Sequence, residues 1–203
     1  MASNHYHFIT HWTVKSTVQE VSDVLGNATD LVRWWPSVYL EVNEVASGNT
    51  DGTGKVISLF TKGWLPYTLR WNFRVTASNE PYGFALDAFG DFVGQGIWTF
   101  EQVGDLVNIT YDWKIRTDKP LLKYLSFVMK PLFSMNHQWA MRMGEESLRL
   151  ELLRREATSE WERSKVPSPP LATPISLGQW LVYVITLATK PKKQQTNLTA
   201  KHF

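Results

Sequence analysis

The chain contains no cysteine, which excludes disulfides, thiolate metal sites and a cysteine nucleophile. That absence fits a reducing compartment, and a cytoplasmic location is expected. The start, MASNHYHFITHW, has no basic stretch followed by an apolar run, so no secretory signal is expected. An excess of positive charge is also missing from the body. Residues 1–157 carry 15 Lys+Arg against 17 Asp+Glu, whereas residues 158–203 carry 6 against 2. A body without a basic footprint is not expected to bind nucleic acid. The glycines from Gly90 to Gly96 lack the lysine and the strand-to-helix context of a phosphate loop; they predict a bend or bulge. No internal repeat is present.

What the chain does have is tryptophan, ten in 203 residues. Trp12, Trp34, Trp35, Trp64, Trp71, Trp98, Trp113 and Trp139 all lie within the first 157. Large rigid rings, each with a single polar N–H, suit a roomy cavity around an apolar guest. A plain aromatic core is the competing reading.

Alternation marks the strands. Tyr6, Phe8, Thr10, Trp12 and Val14 share one face of a first strand. Two overlapping capping boxes follow, Ser16 with Gln19 and Thr17 with Glu20, opening a helix that ends at Gly26. A second short helix, opened by Asn27 or Thr29, carries Leu31, Val32, Trp34 and Trp35 and stops at Pro36. Strands are then expected at 39–46, 55–61, 67–76, 84–89, 97–102 and 106–116. A helix from Lys119 to Lys130, capped by Thr117 or Asp118, should break or kink at Pro131. A longer helix from about Leu132 to Glu156 sets Phe133, His137, Ala140, Met141, Gly144 and Leu148 on one stripe. Its distal surface is read as charged, through Glu145, Glu146, Arg149, Glu151, Arg154, Arg155 and Glu156.

The expected class is therefore α+β: a curved antiparallel sheet of about six to seven strands wrapped around a long C-terminal helix, with two short helices after the first strand. Several strings carry a family likeness. "FITHWTVKSTVQEVSDVL" followed by "LVRWWPSV" resembles the first strand and helices of the START-like superfamily. "GDFVGQGIWTFEQVGDLVNITYDWKI" resembles its last hairpin, and "NHQWAMRMGEESLRLELL" its C-terminal helix. The likeness covers about residues 6–156 and points to the broad SRPBCC group, which includes polyketide cyclase/dehydrase-like and coenzyme-Q-binding proteins. It implies the helix-grip fold and a cavity for a hydrophobic molecule such as a lipid, quinone or polyketide. Carriers and enzymes share that fold, so it does not choose between them.

The expected lining is Trp35, Trp71, Phe73, Trp98, Tyr111, Trp113, Phe133, His137 and Met141. His137 and Tyr111 are the catalytic candidates, as acid/base or as a hydroxyl that orients a ligand carbonyl. The competing reading of His137 is a helix-edge residue hydrogen-bonded to the sheet. Alternation turns Asp112 outward and leaves the direction of Asp87 open, while Asp91 reads as a turn residue. His7 and His11 stand too far apart along a strand to share one metal, so no metal and no cofactor are expected. Arg70 and Arg74 read as solvated.

Three units are expected: a helix-grip domain over 1–157, a proline-rich linker over 158–173, and an apolar helix with a basic tail over 174–203. The apolar run at 174–189 is short for a membrane span. Membrane contact, packing on the domain and pairing with a second copy all stay open for it. The expected function is binding, with a possible role in transport, of a hydrophobic small molecule. A cyclase/dehydrase-like enzyme and a membrane-associated lipid handler are the alternatives.

Overall fold

The computed structural model of the chain describes residues 5–116 and 126–172. Strand β1 (His5–Lys15) leads into helix α1 (Val18–Gly26), one 3-10 turn (Ala28–Asp30) and the one-turn helix α2 (Leu31–Trp34). Six strands follow: β2 (Tyr39–Ala46), β3 (Val56–Lys62), β4 (Thr68–Ser78), β5 (Gly83–Gly90), β6 (Val93–Val103) and β7 (Leu106–Arg116). Helix α3 (Ser126–Glu156) and the short helix α4 (Glu160–Lys165) come next. The seven strands form one antiparallel sheet in the order β1-β7-β6-β5-β4-β3-β2. A curved antiparallel sheet holding a long C-terminal helix is the helix-grip fold.

Alternation sets which side chains face the helix. Strand β7 buries Val107, Ile109, Tyr111, Trp113 and Ile115 and turns the residues between them outward. The register lines up rows across the inner face: Phe8, Trp113, Gly96 and Leu86 in one, Thr10, Tyr111, Trp98 and Phe84 in the next. Helix α3 buries Phe133, Met141, Leu148 and Leu152 in the same core, at the spacing its sequence predicted.

Local chemistry departs from expectation in several places. Helix α1 uses only the Thr17–Glu20 capping box; the Thr17 hydroxyl accepts from the Glu20 amide, and Glu20 accepts from the Thr17 amide at 3.0 Å. The Ser16–Gln19 box does not form, because the Ser16 hydroxyl donates to Glu20 and Gln19 donates to Asp23. Neither Asn27 nor Thr29 caps the second helix with its side chain. Strand β6 starts at Val93, so Gly94 and Gly96 lie inside it and not in a bulge. A Cβ on Gly96 would sit 2.8 Å from Tyr111 Oη and 2.9 Å from Trp113 Cε3, so β7 ring atoms take up that space.

Helix α3 runs through Pro131, so of the break or kink expected there the break does not occur. The missing N–H costs about 3 kcal/mol. Burial of Leu132 and Phe133 in the next turn offsets it. Residues 117–125, where a separate helix was expected to begin, lie outside the described residues. Within the stretch read as a linker, Ser159 caps α4 by accepting from the Glu162 amide, and Arg154 donates to the Pro167 carbonyl at 2.9 Å.

The largest correction concerns charge. Glu151, expected on the solvated surface of α3, is 2% exposed. Arg33 of α2 donates to both its oxygens at 2.7 and 2.6 Å, and Arg155 and Arg154 donate at 2.9 and 3.2 Å. The buried face of α3 is thus wider than its apolar residues show, and α2 is fastened to it through a charge cluster.

Candidate functional site

Two adjoining chambers lie against the inner face of the sheet, a larger one of about 480 Å³ bordered by α1, α2 and the loop over 50–55, with Met141 of α3, and a smaller one of about 130 Å³ bordered by α3. Trp35, Tyr39, Trp71, Tyr111 and Met141 line both, and so form the wall between them. The larger chamber adds Phe73, Phe84, Leu86 and Trp98, and has Asp23, Asp51, Lys55 and Glu80 in its lining. The smaller adds Phe8, Tyr67, Trp113, Phe133, Asn136 and His137. All nine residues expected to line a cavity therefore border one chamber or the other.

The rings form a connected array. Tyr111 stacks on Trp98 at 4.0 Å and 15°, and on Trp113 at 5.5 Å and 21°. Trp71 meets Trp113 at 5.8 Å, and its indole N–H donates to the Thr61 hydroxyl at 3.1 Å. Trp35 touches Trp12, Trp34 and Tyr39 at 5.7, 5.5 and 5.2 Å. Gly144 of α3 makes that position possible, since a Cβ there would overlap the Trp35 ring. The indole N–H groups of Trp34 and Trp35 are buried without a partner among the described residues.

His137 joins both of its expected readings. It borders the smaller chamber, stacks on Phe8 at 4.2 Å and 16°, and has Nε2 3.5 Å from the Thr10 hydroxyl of β1. Burial pulls its pKa down to about 4, so the ring is neutral at pH 7. Between about 6.5, its unfolded value, and about 4, the unfolded chain binds the extra proton. The resulting stability is fully present above that window and is lost as pH falls through it. Chemical denaturation at stepped pH should show this loss in the wild type and a flatter profile in His137→Gln; matching profiles would refute it.

Burial raises the pKa of Tyr39, Tyr67 and Tyr111, and for Tyr111 the neighbouring Tyr39 hydroxyl adds to the rise. All three phenols stay protonated and can donate. Sequence reasoning missed Tyr39, Tyr67 and Asn136. Tyr39 carries one legible signal, an aromatic ring four residues after Trp35. Asn136 shows its role only in three dimensions, where Oδ1 accepts from the Leu65 amide at 3.2 Å and holds the loop over residues 63–67 against α3.

The remaining candidates face away from the chambers. Asp112 pairs with His7 at 2.9 Å and Lys114 at 3.2 Å on the outer face. Asp87 alternates with buried Leu86 and Ala88 and accepts from Gln95. Asp91 follows the end of β5 and accepts from the Arg70 amide. Arg70 is exposed and lies over the Phe60 ring at 4.0 Å. His11 pairs with Thr110. No cluster of three or more His, Asp or Glu is placed to hold a metal among the described residues. No helix among them is long and apolar enough to cross a membrane. The apolar run at 174–189, with its open membrane and dimer readings, lies outside the described residues.

No protein-family model matches the sequence, and no curated protein matches it either. Solved structures match its shape. A Thermus thermophilus protein aligns at TM-score 0.61 and 14% identity, over 75% of this chain and 100% of that one. The Zhui aromatase/cyclase of Streptomyces sp. R1128 aligns at TM-score 0.59 and 14% identity, covering 77% and 98%. A norcoclaurine synthase point mutant of Thalictrum flavum aligns at TM-score 0.51 and 12% identity, covering 75% and 97%. The chain has the helix-grip fold that these structures share. Its own version of that fold places a cavity in two parts on either side of a mostly aromatic wall.

Proposed function

We propose that the protein binds an uncharged, largely apolar small molecule, such as a lipid, quinone or polyketide, in the two chambers and serves as a binder or carrier. The observation that supports this reading is the chamber pair itself. The larger part, about 480 Å³, falls within the range of small-molecule sites, and seven aromatic rings (Trp35, Tyr39, Trp71, Phe73, Phe84, Trp98 and Tyr111) line it beside the polar residues of its border. Native mass spectrometry of the purified protein, followed by organic extraction, should find such a molecule at about one per chain. Met141 borders both chambers, so Met141→Trp fills space on either side of the wall. That variant should lose the bound molecule; full occupancy in a folded Met141→Trp protein would refute the location.

One observation favours a second reading, an acid/base enzyme of the cyclase/dehydrase kind: the neutral imidazole of His137 borders the smaller chamber. The Streptomyces match is an aromatase/cyclase and supports testing it. The extracted molecule, returned to the apoprotein, would then be converted by the wild type and left unchanged by His137→Gln. Recovery of intact ligand from the wild type leaves the binder reading.

A further inference from the structure

The wall between the chambers contains two hydroxyls with no hydrogen-bond partner among the described residues, those of Tyr39 and Tyr111. We propose that the hydroxyls of Tyr39 and Tyr111 act together as a paired hydrogen-bond donor for one acceptor oxygen, a carbonyl or ether, of an elongated neutral ligand that passes the wall and occupies both chambers. The proposal rests on the ligand-binding reading and adds the ligand's polarity and the place where it is recognised.

Tyr111 is 7% exposed and Tyr39 half-buried, and neither hydroxyl hydrogen-bonds to a described residue. A hydroxyl that borders a cavity without a protein partner is available to an incoming acceptor, and such a hydrogen bond contributes about 1 kcal/mol. The neighbouring polar group provides the contrast. Trp71, in the same wall, already donates to Thr61 at 3.1 Å and needs nothing from a ligand. Both tyrosine rings are held in place. Trp98 and Trp113 stack on either side of Tyr111, at 4.0 and 5.5 Å, and Trp35 packs edge-on against Tyr39 at 5.2 Å. Gly96 lets the Tyr111 ring settle over β6, since a Cβ there would meet Tyr111 Oη at 2.8 Å. Both phenols remain protonated in this setting, so each has a proton to donate to an acceptor atom of the ligand.

Charge narrows the class further. The wall holds no cationic side chain to neutralise a buried carboxylate or phosphate. The larger chamber is bordered by Asp23, Asp51 and Glu80 against the single cation Lys55, which disfavours an anion. Lys62 borders the smaller chamber, but it alternates with buried Thr61 along β3, which turns its side chain towards the outer face. A neutral molecule with one internal oxygen and apolar arms on both sides meets these conditions.

The test uses two probes of nearly equal shape, naphthyl methyl ketone and ethylnaphthalene, with binding read from tryptophan quenching. The wild-type chain is expected to hold the ketone about tenfold more tightly, and the carbonyl stretch of the bound ketone should fall in frequency. Tyr39→Phe/Tyr111→Phe should lose both the preference and the frequency shift while binding ethylnaphthalene as the wild type does. Where the double variant fails to fold, each single Tyr→Phe variant should show part of the loss. Equal wild-type affinity for the two probes, or a preference that survives both substitutions, overturns the donor pair and leaves the cavity reading standing. Binding of neither probe by the wild type overturns both.

Discussion

Glu151→Ala is expected to destabilise the protein by about 3–5 kcal/mol, because it leaves the cations gathered around a buried carboxylate without their partner. In a chain of this size that corresponds to a fall in Tm of roughly 10 °C. The Glu151 carboxylate accepts from Arg33, Arg154 and Arg155, and Arg33 also donates to Asp30 at 3.0 and 2.6 Å. Without Glu151 the hydrogen bonds that join Arg33 of α2 to α3 are lost, and α2 carries Trp34, which is 0% exposed, and leads directly into Trp35. Scanning calorimetry of the variant measures the effect; a change below about 1 kcal/mol would show that the cluster is dispensable.

The cluster also gives this effect a pH signature. Desolvation by itself would raise the Glu151 pKa, but the hydrogen bonds from Arg33, Arg155 and Arg154 overcome it and lower the value to about 2. The unfolded chain binds this proton near 4.5, so the added stability is complete above that pH and is lost as pH falls towards 2. The gap between wild type and Glu151→Gln should therefore close over this window. The His137 effect ends near pH 4, at the upper edge of the same interval, so the two groups can be separated by titration.

Trp35→Ala is the second large expectation, a loss of about 3–5 kcal/mol together with a change in what the cavity holds. Trp35 is 3% exposed and touches three other aromatic rings. It also belongs to the wall, so its removal joins the two chambers. The urea midpoint should fall sharply, and the variant should bind naphthyl methyl ketone and ethylnaphthalene with less discrimination than the wild type. A variant as stable as the wild type, with its selectivity intact, would mean that the wall is formed elsewhere.

Much of this architecture was legible along the chain. Strict alternation in residues 67–76 and 106–116 marked the inner faces of β4 and β7, because side chains in a strand point to opposite sides at every step. The stripe from Phe133 to Leu148 marked the buried face of α3 for the equivalent reason in a helix. The residues expected along a cavity came from those two periodicities and the aromatic content. Boundaries near Gly94 and Pro131 were misread, since each residue carries a local cost that packing outweighs: the close approach of the β7 backbone to Gly94, and Leu132 and Phe133 after the proline.

What the sequence determined by itself was the order of elements and the face that each one buries, because both depend on neighbours a few residues away. Tertiary structure alone decided the partners of the polar groups. Arg33 and Glu151 are 118 positions apart, and nothing near either residue indicates that they meet. Tyr39 and Tyr111 share a wall only because β2 and β7 bend around the same helix. A carboxylate or a phenol is solvated or buried, paired or available, according to what folding brings to it, and that depends on contacts between distant parts of the chain.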